Sequence, residues 1–148
     1  MFKGFIFDLE GTLYLNDQLI LGADRVIQLI REKGRKVIFL SHNPLEIPKE
    51  CAEKLTRLGI PARPEEVISS SLILHSILEV MGLMPGDCIL IGDCLETDIK
   101  IGKEAGVATG IVLTGETNEE TLKNIKHSPD QPDFVFESIA EVENLLIG

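Results

Sequence analysis

Positive charge is what this chain most lacks. It has 14 Lys and Arg against 24 Asp and Glu, a formal net charge of −10 over 148 residues. No Lys/Arg run occurs, and with no tryptophan and a single tyrosine there is no basic-aromatic stripe. Such a chain repels a phosphate backbone and an anionic membrane surface, so neither nucleic acid nor membrane is an expected partner. Cysteine is also sparse. Cys51, Cys88 and Cys94 are odd in number and lack Cys-x-x-Cys spacing, so neither a disulfide framework nor a zinc site is indicated. Cys51 and Cys88 are expected to pack as small apolar groups, and Cys94, after Asp93 in a loop, to be a bystander thiol. No apolar run reaches bilayer length, and Met1-Phe2-Lys3 reads as the start of a folded strand, not a cleavable leader. The expectation is a cytoplasmic protein. There is no linker, repeat or low-complexity tract, and 44% hydrophobic residues suffice for one core, so residues 1–148 are expected to form a single domain.

What the chain has is short apolar runs alternating with helical patterns. Phe5-Ile6-Phe7 lies between Gly4 and Gly11, too short for a helix and continuous enough for a strand buried on both faces. Val37–Leu40, Val67-Ile68, Cys88–Ile91, Val107–Leu113 and an edge strand Asp133–Phe136 read the same way. Between them, Ala23, Val26, Ile27 and Ile30 fall on one helical face stopped by Gly34. Pro48 suits a first helical position, ahead of the stripe Cys51, Ala52, Leu55 and Leu58, which ends at Gly59. Ile73, Leu74, Ile77, Leu78 and Met81 mark a third helix, and Ile99, Gly102 and Ala105 a fourth, closed by Gly106. Thr117-x-x-Glu120 and Ser138-x-x-Glu141 have the form of capping boxes opening two final helices. Leu13–Gly22, without a period, reads as a flap crossing the crevice. Strands and helices alternating at this spacing predict an α/β fold: a three-layer, doubly wound parallel sheet with right-handed crossovers.

In such sheets ligands bind beyond the carboxyl ends of the strands. Asp8, Glu10, Ser41, Asn43, Asp93, Asp98 and Thr114 all stand at or just after predicted strand ends, so one edge gathers them. Carboxylates crowded into one crevice either take up protons or bind a cation, and an all-oxygen set favours magnesium shared with a substrate phosphate. The Ser41 hydroxyl and loop amides could donate to phosphate oxygens. Asp8 could attack phosphorus, and Glu10 could protonate the leaving oxygen and later deprotonate water.

Three stretches carry a family likeness. Asp8-Leu9-Glu10-Gly11-Thr12-Leu13-Tyr14, Leu40-Ser41-His42-Asn43-Pro44 and Gly92-Asp93-Cys94-Leu95-Glu96-Thr97-Asp98-Ile99 resemble signature motifs of the haloacid dehalogenase superfamily. Lys54–Ile60 and Val112–Gly115 add a resemblance to its nitrophenylphosphatase-like branch. The likeness spans nearly the whole chain and implies a HAD-like Rossmannoid core. It also implies Asp8 as nucleophile, with Mg2+ held by the Asp8 and Asp93 carboxylates, the backbone carbonyl of Glu10, and Asp98 directly or through water. Ser41 and Asn43 would lie in the phosphate-binding loop.

The chain departs from that pattern at three points. Phosphatases of the family have Asp where Glu10 stands. Relatives carry a Lys in the stretch corresponding to Ile68–His75, which here has none; Lys49, Lys100 and Lys103 read as solvated helix faces. The branch's cap domain is missing, since Ile68-Ser69-Ser70-Ser71 runs straight into a helix. An uncapped pocket recognises little beyond phosphate, unless a large substrate or a second copy of the chain covers it. His42 is read as a loop residue facing solvent, and His75 and His127 suggest nothing specific. The leading expectation is therefore a slow, capless phosphatase acting on a small phosphate ester or a phosphorylated macromolecule. One rival is a phosphate- and magnesium-binding regulatory module without turnover. Another is a phospho-accepting receiver, which would need adjacent acids and a Lys where Thr114-Gly115 stands.

Overall fold

The structure is a computed structural model that describes residues 1–69, 71–126 and 128–147; Ser70, His127 and Gly148 lie outside the described residues. Strand β1 (Gly4–Asp8) is buried along its whole length. After it come a hairpin of β2 (Tyr14–Leu15) and β3 (Gln18–Leu19), then α1 (Ala23–Glu32), β4 (Lys36–Leu40), α2 (Pro48–Leu58) and β5 (Val67–Ile68). The second half runs α3 (Leu74–Val80), β6 (Cys88–Gly92), α4 (Lys100–Ala105), β7 (Ala108–Val112), α5 (Glu119–Asn124) and β8 (Phe134–Phe136). Six strands form one parallel sheet in the order β5-β4-β1-β6-β7-β8. This is the doubly wound α/β architecture that the alternation predicts. The chain winds outward from β1 to β4 and β5, then returns to β6 on the other side of β1. That reversal opens the crevice beyond the end of β1.

Side-chain alternation assigns each layer its core. Phe5 and Phe7 point to one face, packing with Val26, Ile27 and Ile30 of α1, Ala52 and Leu55 of α2, and Ile139 and Val142 near the C-terminus. Ile6, Ile38 and Leu90 point to the other, against Leu74 and Leu78 of α3. Burying each such side chain contributes roughly 1.5–3 kcal/mol, which is what holds the strand ends at fixed separations. Pro48 occupies the first turn of α2, and Gly59, at φ 117, closes that helix where an L side chain would be strained.

Local details correct the sequence reading at several points. Asp8 is the last residue of β1, in register with Leu40, whereas Glu10 and Asp93 lie beyond their strands. Leu13–Gly22 is largely the β2–β3 hairpin, whose turn residue Asn16 has φ 56. Ile73 belongs to a 3-10 turn, Ser71–Ile73, ahead of α3 and is exposed; Leu74 and Leu78 carry the buried face. A single π turn over Leu95–Ile99 precedes α4. Thr117 is not a cap: Asn118 adopts the extended conformation and accepts from the Thr121 amide at 2.9 Å, while Thr117 is buried. Ser138 does cap, accepting from the Ala140 amide at 3.2 Å, but Glu141 reaches the Glu137 amide and the segment Ile139–Leu146 is 3-10, not α. Cys51 is more than a small apolar group, since its thiol donates to Glu46 Oε2 at 3.0 Å. No helix among the described residues is long and apolar enough to cross a membrane.

Candidate active site

The exits of β1 and β6 bring three carboxylates under the surface. Asp8 and Asp93 are about 95% buried and Asp98 is fully buried. Each is held from behind. Asp98 Oδ2 accepts from the backbone amides of Asp93 and Cys94, both at 3.1 Å, because the π turn folds Asp98 back over the end of β6. Asp93 Oδ2 accepts from the Glu116 amide at 3.0 Å, and Asp8 Oδ2 from the Thr12 hydroxyl at 3.3 Å. Thr114 donates to the Gly11 carbonyl at 2.7 Å and ties the loop after β7 to the loop after β1. Glycines make this closeness feasible. A Cβ at Gly92 would overlap the Asp98 carboxyl, and one at Gly11 or Gly115 would overlap that of Asp93.

Crowding has an electrostatic consequence. Burial, followed by the neighbouring Asp98 and Asp93 charges, pushes the Asp8 carboxyl up to about 10. Metal-free, Asp8 thus holds a proton that a divalent cation would displace. The donor set fits such an ion: hard carboxylate oxygens, buried, with their outer oxygens fixed by amides and a hydroxyl.

His42 is exposed, as expected, but its ring also reaches the acids: its Nε2 lies 2.6 Å from Asp98 Oδ1 and 3.5 Å from Asp8 Oδ1. The hydrogen bond to Asp98 raises the imidazole above its ordinary value, against the opposing effect of burial. The strand-exit position beside Ser41 was the available signal.

Across the crevice the arrangement is different. Ser41 is buried at the end of β4 and its amide is anchored to the Ile68 carbonyl, but its hydroxyl donates to Glu46 Oε2 at 3.1 Å. Asn43 spends its side-chain oxygen on the Leu45 amide at 2.9 Å. Glu10, exposed, accepts from the Asn16 amide at 2.8 Å and so is tethered to the β2–β3 hairpin. Asp8, Glu10, Ser41, Asn43, Asp93, Asp98 and Thr114 nonetheless line one cavity of about 930 Å³, together with His42 and Lys54. Lys54 sits over the Tyr14 ring, 4.3 Å from its centroid, and pairs with Asp17 at 3.5 Å. Lys49, Lys100 and Lys103 line other cavities. Glu46 had no signal in the sequence beyond being an acid five residues after Ser41.

A strand-end aspartate at the reversal of a doubly wound sheet, backed by two more acids from the loop after the neighbouring strand, defines the ligand-binding crevice of an α/β fold. The chain belongs to the haloacid dehalogenase-like hydrolases: residues 5–107 match that family's model. Over 71 residues it is 35% identical to the acid sugar phosphatase of Staphylococcus aureus (strain USA300), a match covering 48% of this chain and 27% of that protein. The chain thus matches about a quarter of the length of these relatives. Its fold is also that of p-nitrophenyl phosphatase from Archaeoglobus fulgidus, with a TM-score of 0.85 at 17% identity over 97% of this chain and 98% of that one. NagD from E. coli K-12 superposes with a TM-score of 0.83 at 15% identity over 95% and 98%.

Proposed function

We propose that this chain is a magnesium-dependent phosphomonoester phosphatase without a cap, working slowly through an aspartyl phosphate on Asp8. The observation that carries the reading is the convergence of buried Asp8, Asp93 and Asp98 at the exits of β1 and β6, in a chain of hydrolase family membership. A magnesium ion held by Asp8, Asp93, Asp98 and the Glu10 carbonyl would offset the gathered negative charge and polarise the phosphoryl group. The Asp8 carboxylate forms the new bond to phosphorus while the ester oxygen leaves. Glu10 supplies the proton to that oxygen and later takes one from the water that cleaves the acyl phosphate. Ser41 and Asn43 cradle the phosphoryl oxygens. The substrate is a small phosphate ester or a phosphorylated macromolecule, encountered in the cytoplasm, and a second copy of the chain is one way to cover the open crevice.

The test is hydrolysis of generic phosphate esters with magnesium by purified protein. Release no faster than from Asp8→Asn removes the enzymatic claim. Glu10→Asp is expected to raise turnover, because the extra methylene displaces the acid by roughly 1.5 Å and errors on the order of 1 Å cost about a hundredfold. An unchanged or lower rate would show Glu10 to be well placed as it stands.

One observation favours a second reading, a regulatory module that binds phosphate and magnesium without turning over. Ser41 and Glu10 both have their polar atoms engaged with partners of the chain itself. Stabilisation by magnesium plus a phosphate mimic, with no product from a broad ester panel, would select it.

A further inference from the structure

Tyr14 carries a hydroxyl for which the fold provides no partner. The residue is only 3% exposed and lines the same cavity as Asp8 and Ser41, yet its Oη makes no hydrogen bond among the described residues. Within that set only Arg35 Nε is a sealed side-chain nitrogen or oxygen without a partner, so the Tyr14 oxygen opens on the cavity. Its position is closely fixed. Tyr14 pairs with Leu19 in the β2–β3 hairpin, its carbonyl accepts from the Gly11 amide at 2.8 Å, and its ring joins the core that contains Ala52 and Leu55 of α2. Lys54 lies over the ring and is itself paired with Asp17 of the hairpin turn.

Buried hydroxyls are nearly always hydrogen-bonded, so one held rigidly and left open marks a place for an acceptor that arrives from outside. The surroundings indicate which kind. Burial, and then the Glu46 carboxylate, hold the phenol above its ordinary range, so it stays protonated and available as a donor. Glu10 and Asp8 face it as well, and none of these acids takes its hydrogen. The phosphate side is otherwise short of ready donors: the Ser41 hydroxyl is engaged by Glu46, the Asn43 side-chain oxygen is held by the Leu45 amide, and Ile68–His75 contains no lysine. We infer that Tyr14 contacts the substrate, its Oη donating a hydrogen bond to an oxygen of the bound phosphoryl group. The inference rests on the phosphatase reading of the same crevice and adds to it a contact that breaks no internal hydrogen bond.

Tyr14 is the single tyrosine and the chain has no tryptophan, so a ring-fluorinated tyrosine supplied during expression labels this position alone. Its fluorine magnetic resonance is followed as inorganic phosphate is titrated in the presence of magnesium, and phosphate affinity is measured by calorimetry for wild type and Tyr14→Phe. Phenylalanine keeps the ring beneath Lys54 and removes only the hydroxyl. A saturable fluorine shift is expected in the labelled protein, with phosphate affinity about tenfold lower in Tyr14→Phe, the scale of one hydrogen bond to a charged group, and kcat/KM for esters falling at least as far. No shift at saturating phosphate, no phosphate binding by wild type, or unchanged affinity in Tyr14→Phe overturns the inference. Circular dichroism establishes that the variant is folded; should it not fold, the fluorine shift alone decides. Ester hydrolysis at the wild-type rate by folded Tyr14→Phe would remove this contact and leave the phosphatase reading standing. Both expected binding results without hydrolysis by wild type would sustain the contact and sink the enzyme.

Discussion

The two sides of the crevice are built to different standards. At the exits of β1 and β6 Asp8, Asp93 and Asp98 are each fixed by an amide or hydroxyl, and glycines that admit no Cβ crowd Asp93 and Asp98. At the exits of β4 and β5 the loop is self-satisfied: Ser41 serves Glu46 and Asn43 serves Leu45. Leu45, Ile47, Leu72 and Ile73 stand exposed around it. The cation side is rigid before anything arrives, whereas the phosphate side must exchange internal hydrogen bonds for substrate. Binding that first costs internal contacts is weaker, which accords with the slow enzyme we propose.

That contrast can be broken most severely at the nucleophile. Asp8→Asn should lower ester hydrolysis at least about a thousandfold, measured as phosphate release, since Asp8 is the nucleophile we propose. Next come Gly92→Ala and Gly115→Ala, which drive a methyl into the Asp98 and Asp93 carboxyls. Each should destabilise the protein by roughly 1–3 kcal/mol in denaturant melts and remove stabilisation by added magnesium. The mild counterpart on the other side is Glu46→Gln. It weakens the hold on the Ser41 hydroxyl and should lower KM about fivefold, equivalent to about 1 kcal/mol, with little change in kcat.

The remaining effect is one of pH on the metal-free protein. Asp8 rises from an ordinary 3.8 to about 10 on folding, so the folded state holds a proton that the unfolded state releases. Its contribution is fully present below pH 3.8 and is lost as pH climbs through that window toward 10. Asp93, Asp98 and His42 face the same group. Metal-free wild type should lose melting temperature relative to Asp8→Asn between pH 5 and 9 by about this linkage, and the gap should narrow when magnesium is added.

The rigid side was also the legible side. Apolar runs bounded by glycine located β1 and β6, and a strand end fixes its last side chain, so Asp8, Asp93 and Asp98 could be brought together from sequence. The phosphate side depends on loop torsions that no periodicity records. His42 turned to Asp98, and Ser41 to Glu46, because those acids were in reach. Strands of two residues, as in β2 and β3, are too short to register as a pattern. Thr117 and Asn118 are both cap-formers, and tertiary burial of Thr117 decided between them.

The wide turn over Leu95–Ile99 sets the phase of everything after it. A helix advances about 100° per residue. Deleting one residue among Leu95, Glu96 and Thr97 would restore ordinary winding and swing the following acid off the sheet edge while leaving composition and hydrophobic pattern almost untouched. Spacing within this stretch, more than the identity of its residues, is what a lineage can alter to disarm the centre in a single step.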